Sequence, residues 1–388
     1  MIASKGYFPI LRQRVRARRF RALFLFVTSR CNSLCRTCFY YDKLNSRDDL
    51  TFEQIETIAR TAPPFEKLWL SGGEPFLRPE LAEIVALFAR RNGIRNVNLP
   101  TNGLLPEKIF AAVDRMLELA PEVSIDLNFS LDGLANTHDA IRGVPNNFVR
   151  TLETIRRAEG RYKGIRRLRR NVLSVVTTEN YHELIELGLQ LAEGGRIDGQ
   201  YFEVARGEMP DGSLSKFTRE NLAVLHRQLM PFHRHYAKKL FAHLPAAVRQ
   251  FAAMYYLGNL RMHFDLHESC HEGPEKWPMA CTAGETTMVI DHNGRYRACE
   301  MRGIVGDLAE HGYDVGRALE SREMREEVQA ISTANCWCTH SCFIQESSKF
   351  SPQVQLFRIP WAWMRQRWHR LPAIPTRELE RFRALEAI

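Results

Sequence analysis

Three cysteines fall close together in the stretch TSRCNSLCRTCFYY: Cys31, Cys35 and Cys38. Thiolates gathered this tightly hold soft metals or iron–sulfur clusters. A structural zinc usually takes four protein ligands, mostly Cys and His. This loop supplies three, and no His lies near it in the sequence. A four-iron cluster held by three thiolates instead leaves one iron open to an outside ligand. Five more cysteines crowd the C-terminal part: Cys281, Cys299, Cys336, Cys338 and Cys342. Cys270 stands alone before them and reads as a buried thiol, although it is near enough to Cys281 to serve as a ligand. Nine cysteines, odd in number and clustered, are not a disulfide framework; they point to metal in a reducing cytoplasm.

These thiols need a scaffold. The chain has 388 residues, 45% of them hydrophobic, enough for a buried core and against disorder. From residue 22 to about 206, short apolar runs alternate with amphipathic stretches. The strand candidates are ALFLFVTS, KLWLSG, RNVNLPT, VSIDLNFSL, NVLSVVTT and GQYFEVA. Between them, Thr51 and Gln54 have the spacing of a capping box, and PELAEIVALFARRNG runs from Pro79 to a stop at Gly93. Six strands alternating with helices imply an α/β fold of right-handed βαβ units with a parallel sheet, open or barrel-like. In such sheets chemistry gathers at the C-terminal strand ends, where the three cysteines fall.

The expected divisions are a basic arm (1–21), the barrel (22–217), a helical linker (218–277), a cysteine-rich hairpin and helix module (278–350) and a basic, aromatic tail (351–388). In the module, HNG between two short apolar runs signals a hairpin. The module is expected to stand apart, held more by metal than by a core. The run ALFLFV is too short for a signal-peptide core, and no apolar run reaches the ~18–20 residues of a bilayer span.

The spacing Cys-x3-Cys-x2-Cys resembles that of the radical S-adenosylmethionine (radical SAM) superfamily. The resemblance implies that the sheet is a partial (β/α)6 barrel of parallel strands and that the open iron is chelated by the amino and carboxylate groups of SAM. Reductive cleavage of SAM at the four-iron four-sulfur cluster would then give a 5′-deoxyadenosyl radical that abstracts hydrogen from substrate. Further motifs occur in family order at strand ends. LSGGEP would receive the SAM ammonium at Gly72, Gly73, Glu74 and Pro75. PTNG brings Thr101 and Asn102 to the same cavity. FSLDG and NTHDAIRG would bring Ser130, Asp132 and Arg142 near the ribose or carboxylate, and Arg206-Gly207 is a further cofactor-side candidate. Thr37 stands where many members carry an aromatic, so the adenine contact passes to Phe39 or Tyr40, of which Phe39 is the choice.

Cys281 in CTAG, then Gly294, four residues and Cys299, resembles the start of the SPASM or Twitch auxiliary modules. This implies one auxiliary iron–sulfur cluster, of four-iron type, with ligands from Cys281, Cys299, Cys338 and Cys342, and Cys336 able to replace Cys338. A structural zinc on the same thiols is the alternative. Glu300 could act as a catalytic base beside that cluster; the bland reading is a solvated surface carboxylate.

Arginines and lysines outnumber acids 54 to 45, a formal charge of +9. The basic arm and the tail, with Trp361, Trp363 and Trp368 among Arg365, Arg367 and Arg370, suit peripheral membrane contact or an anionic substrate. Packing across the barrel is the favoured reading. The expected function is a cytoplasmic enzyme of natural-product biosynthesis, acting on a small molecule, a lipid-linked substrate or a peptide, and reduced by an external donor such as flavodoxin or ferredoxin. The roughly 20 residues before the first strand are too few for a peptide-recognition domain, which tilts the expectation away from a free peptide. The alternatives are a ribosomal-peptide maturase and a non-enzymatic iron–sulfur or zinc scaffold binding nucleic acid, against which the run of cofactor motifs stands.

Overall fold

The computed structural model describes residues 19–272, 276–368 and 381. Six strands, β1 (Ala22–Thr28), β2 (Lys67–Gly72), β3 (Asn96–Thr101), β4 (Ser124–Ser130), β5 (Leu168–Val176) and β6 (Gly199–Val204), pair in parallel in that spatial order. Between them run α1 (Phe52–Thr61), α2 (Leu81–Asn92), α3 (Pro106–Leu119), α4 (Ala135–Arg142), α5 (Asn147–Tyr162) and α6 (Leu184–Gly194). This is the expected α/β arrangement of a parallel, barrel-like sheet. Local chemistry sets the helix ends. Thr51 and Gln54 form the reciprocal cap of α1, α2 stops at Gly93 with φ of 71°, and Pro106 opens α3.

The strands alternate between two faces. In β2, Leu68 and Leu70 are buried, while Lys67, Trp69 and Ser71 are partly open. The inner face is more polar than buried strands usually are. Asn96 donates to Asp126 at 2.8 Å, Asn171 to Asn128 at 3.0 Å and Arg169 to Tyr201 at 2.7 Å. Phe24 stacks between Trp69 and Phe343, with centroids 5.4 and 5.3 Å apart.

The linker forms two long helices, α7 (Arg219–Phe241) and α8 (Ala246–Glu272). Beyond it, the structure departs from the expected separate module. β7 (Thr287–Ile290) pairs in parallel with β1, Ala22 beside Thr287, and β8 (Arg295–Arg297) and β9 (Gly306–Asp307) continue the sheet in antiparallel fashion. All four residues of β7 are buried, and Met288, Val289 and Ile290, with Tyr296, Ala298 and Leu308, belong to the barrel's own core. The physical reason is that β1 is apolar and buried along its whole length, so both of its edges need a partner. Helices α9 (Val315–Leu319), α10 (Arg322–Thr333) and α11 (Ser341–Ser348) follow, then a π turn, Val354–Arg358, into α12 (Ile359–Trp368). Pro360, with no N–H to return to the preceding turn, accompanies that irregularity.

Arg21 reaches Glu66 at 2.8 Å and lies 3.8 Å from Glu346, so this end of the arm packs into the fold. Trp363 packs against the α7–α8 core, and Arg365 pairs with Asp265. The expectations on residues 1–18 and on the side chains of Arg367, Trp368 and Arg370 lie outside the described residues. Among the described residues no helix is long and apolar enough to cross a membrane.

Candidate cofactor site and auxiliary cysteines

Cys31, Cys35 and Cys38 occupy the loop after β1, all half-buried free thiols. The loop is tied down at its base. Asp49 accepts from Thr28 Oγ1 at 2.6 Å and from the Ser29 N–H at 2.7 Å, and Asn45 Oδ1 accepts from the Cys31 N–H at 3.0 Å. Burial, and next to it the neighbouring thiols, pushes Cys31 up to about 12 and Cys38 up to about 11. A cationic centre would relieve that penalty, because metal-bound thiols are deprotonated.

The glycines after β2 are needed against this loop. Gly72 has φ of 114°, and a Cβ there would lie 2.2 Å from the Thr28 carbonyl oxygen. A Cβ on Gly73 would lie 2.0 Å from the Arg30 carbonyl oxygen. The Gly-Gly pair therefore admits the cysteine loop's backbone first. Pro75 is buried and opens a short turn.

Glu74 is buried and joins two strand ends. Its carboxylate accepts from the Asn102 N–H at 2.8 Å and from the Phe76 N–H at 3.3 Å. Burial nevertheless pushes it up to about 7. Asn102 donates in turn to Asn32 at 2.6 Å and to Ser33 at 3.2 Å, in the cysteine loop. Thr101 is buried, and its hydroxyl accepts from the Gly103 N–H at 3.1 Å.

Ser130, the last residue of β4, is half-buried, and Asp132 beyond it is fully buried, its Oδ1 accepting from the Val175 N–H at 2.8 Å. Arg142 Nε stands 2.6 Å from Asp132 Oδ2, an ion pair too bent to be a hydrogen bond, and Arg142 Nη1 donates to Cys35 Sγ at 3.8 Å. The residues expected around the cofactor thus converge on one end of the sheet. Among the aromatic candidates, Tyr40 is buried with its hydroxyl 2.5 Å from His292 Nδ1, whereas Phe39 is 39% exposed.

Among the described residues no group of three or more His, Cys, Asp or Glu could hold a single metal ion. A cluster, whose irons each take one thiolate, spreads its ligands more widely. The donor set of three half-buried thiols beside a guanidinium suits such a group.

The five C-terminal cysteines do not share one environment. Burial raises Cys281, with Cys336 pressing on it, and pushes Cys299 and Cys338 up to about 12, with Cys281 and Cys336 adding to both. Cys342, at the start of α11, is raised by burial and then by Glu203 and Glu300, and it faces Arg206 and Lys67. Cys336 therefore joins the nearer group, and Cys342 looks toward the barrel. Cys270 is buried on α8.

Glu300 is not a solvated surface residue. Its carboxylate lies 2.5 Å from His340 Nε2, and Arg206 lies 3.3 Å from that nitrogen and 3.4 Å from Glu203. Burial alone would raise Glu300, but His340 and Arg206 reverse this and hold it below the usual carboxylate range. His340 was missed by sequence reasoning, as were the inward polar residues of β3–β5. The available signals were a histidine inside CTHSC and polar residues at alternate positions in NVNLPT and VSIDLNFSL.

Residues 25–189 match the model of the radical SAM superfamily. A GTP 3′,8-cyclase of Geobacter sulfurreducens is 38% identical over 130 residues, 32% of this chain and 38% of that relative, so the chain spans little more than a third of it. The solved structure of anSMEcpe with bound AdoMet has a TM-score of 0.55 at 16% identity, covering 95% of this chain and 98% of that one. Streptococcus suis SuiB bound to precursor peptide SuiA has a TM-score of 0.52 at 15% identity, covering 84% and 70%. Both structures share the fold. The matched sequence, the cysteine loop and the converging strand ends agree: residues 25–189 of this chain are similar to the radical SAM superfamily.

Proposed function

We propose that the protein is a radical SAM enzyme that binds SAM at a four-iron four-sulfur cluster held by Cys31, Cys35 and Cys38. The observation that carries this is the half-buried thiol triad beside Arg142, within the segment that matches the family. A cluster held by Cys31, Cys35 and Cys38 would supply the one-electron reductive cleavage of SAM and so hydrogen abstraction from substrate. The chain's own residues bind and orient. Asp132 and Arg142 form a buried charged pair beside the cofactor, Glu74 and Asn102 hold the strand ends together, and Phe39 offers an open ring to the adenine.

An auxiliary four-iron cluster on the C-terminal cysteines, with Cys281, Cys299 and Cys338 at its centre, would assist electron transfer or substrate binding. Glu300, beside Cys299 and His340, is the candidate proton acceptor for substrate oxidation. The substrate is a small molecule, a lipid-linked compound or a peptide in natural-product metabolism, and a flavodoxin or ferredoxin is the external reductant. SuiB was solved with a precursor peptide, which keeps a peptide-maturase reading in play. The cyclase relative acts on GTP, but the matched 32% of this chain is too little to carry that substrate across.

Anaerobic reconstitution with iron, sulfide, dithionite and SAM tests the reading. About eight irons per chain and release of 5′-deoxyadenosine are expected, and Cys31→Ala should abolish that release. A Cys31→Ala variant that behaves as the parent protein does would defeat the proposal.

A further inference from the structure

α12 and the π turn before it present apolar side chains to solvent. Phe357, Trp361 and Met364, spaced i, i+4 and i+7, are 68%, 55% and 39% exposed. That spacing places them on one helical face. The other face is anchored. Ile359 and Ala362 are buried, and a Cβ on Gly258 of α8 would meet the Ile359 carbonyl oxygen at 2.4 Å. The helix is fixed to the protein along one side and carries an apolar ridge along the other.

Beside this ridge, α7, α8 and α12 enclose a cavity of about 540 Å3 that Trp361 also lines. Six cations surround it: Arg219, Arg227, Arg261, Lys276, Arg358 and Arg365. The two carboxylates in its wall are already engaged. Asp265 takes Arg261 at 2.9 Å and also Arg365, while Glu268 takes Arg261 at 3.0 Å and His226 at 3.0 Å. Among the described residues no carboxylate stands within ion-pair distance of Arg227, Lys276 or Arg358. Arg227, Lys276 and Arg358 thus add positive charge to the hollow beside the paired Arg261 and Arg365.

An apolar ridge alone fits many partners. Joined to cations that make no close ion pair among the described residues, it matches the headgroup layer of an anionic bilayer. There an indole sits at the interface, arginine takes phosphate oxygens in its planar fork, and neighbouring apolar side chains enter the acyl boundary. We propose that this face docks on an anionic phospholipid surface. Arg227, Lys276 and Arg358 take lipid phosphates, and Phe357, Trp361 and Met364 insert beside them. The contact is peripheral and lies apart from the cysteine loop.

The test is flotation of the full-length, reconstituted protein with phosphatidylglycerol or phosphatidylcholine vesicles. Flotation with the anionic vesicles at low salt is expected, with release near 0.5 M salt and little binding to the zwitterionic ones. Arg227→Gln and Arg358→Gln should each weaken partitioning about fivefold. Trp361→Ser should weaken it too, and should remove the quenching of tryptophan emission by brominated lipid. Circular dichroism would verify that these variants are folded. The proposal fails if nothing floats, or if both vesicle types are bound alike. It fails equally if all three variants bind as the parent does, which would move the contact elsewhere on the chain. Self-association through the ridge in place of vesicle binding would assign the face to a second copy. Full displacement by millimolar inorganic phosphate, with no quenching by brominated lipid, would make the cavity a free-anion site.

Discussion

At the scale of single residues, the end of the sheet that carries the cysteine loop depends on absences as much as on side chains. Gly73→Ala puts a methyl group where the Arg30 carbonyl oxygen stands, and backbone cannot turn aside as a flexible side chain can. The expected loss is about 1–3 kcal/mol from overpacking alone, together with reduced iron uptake by the triad. Denaturant midpoints and iron content of the purified variant would measure both. Arg142→Gln removes the cation that faces the fully buried Asp132, leaving an uncompensated carboxylate at a cost of about 3–5 kcal/mol. Unchanged stability in that variant would mean that Asp132 is neutralised in another way. The sequence displayed the cysteines, the glycines and the FSLDG and NTHDAIRG motifs, because each is a local pattern. It did not display that Gly72 and Gly73 face the first loop, or that His340 meets Glu300, since those pairings join residues far apart in the chain.

At the scale of elements, α7 and α8 bury five histidines among the described residues, His226, His233, His235, His263 and His267. His226 stacks on Phe264 with centroids 4.1 Å apart, and His233 meets Phe202 edge-on at 5.8 Å. Burial pushes His233 down to about 3, with the charge of His226 adding to it, and His263 down to about 4. Burial also lowers His226 against the pull of Glu268, and it lowers His267, which lies toward Arg206. In the unfolded chain each would titrate near 6.5. Because the folded values are depressed, the unfolded state binds more protons below pH 6.5, and stability falls as pH drops through that value. The slope is about 1.4 kcal/mol per pH unit for each histidine that stays neutral when folded. Between pH 7.5 and 5, His233 and His263 together should remove about 4 kcal/mol. Urea midpoints across that range, with His233→Phe showing a shallower dependence, would verify this; a flat profile would mean that the histidines are solvated. The sequence marked these helices only as a linker, because a histidine's burial depends on the partner helix and not on its own neighbours in the chain.

At the scale of the whole molecule, the alternation of strands and helices made the barrel legible, and the capping box and the Pro and Gly punctuation marked several of its helices. The place of the C-terminal part was not legible, because β1 and β7 are separated by most of the chain and their pairing leaves no local periodicity. That pairing changes what the auxiliary cysteines are expected to do. A metal-held appendage would unfold when its ligands were removed and leave the barrel intact. Here Met288, Val289 and Ile290 of β7, with Tyr296 and Leu308, belong to the barrel's own core, so Cys281→Ala or Cys299→Ala should lower the iron content while a single cooperative melting transition persists. Truncation after residue 277 is the harsher test. It strips the partner from one edge of β1, whose seven residues are all buried, and exposes an apolar edge that can pair with other chains. The truncated chain should aggregate, whereas the cysteine variants should stay soluble and fold. A soluble, monomeric barrel of residues 1–277 that still releases 5′-deoxyadenosine from SAM would show that the sheet is divisible at β1 after all, and would return the auxiliary cysteines to a module of their own.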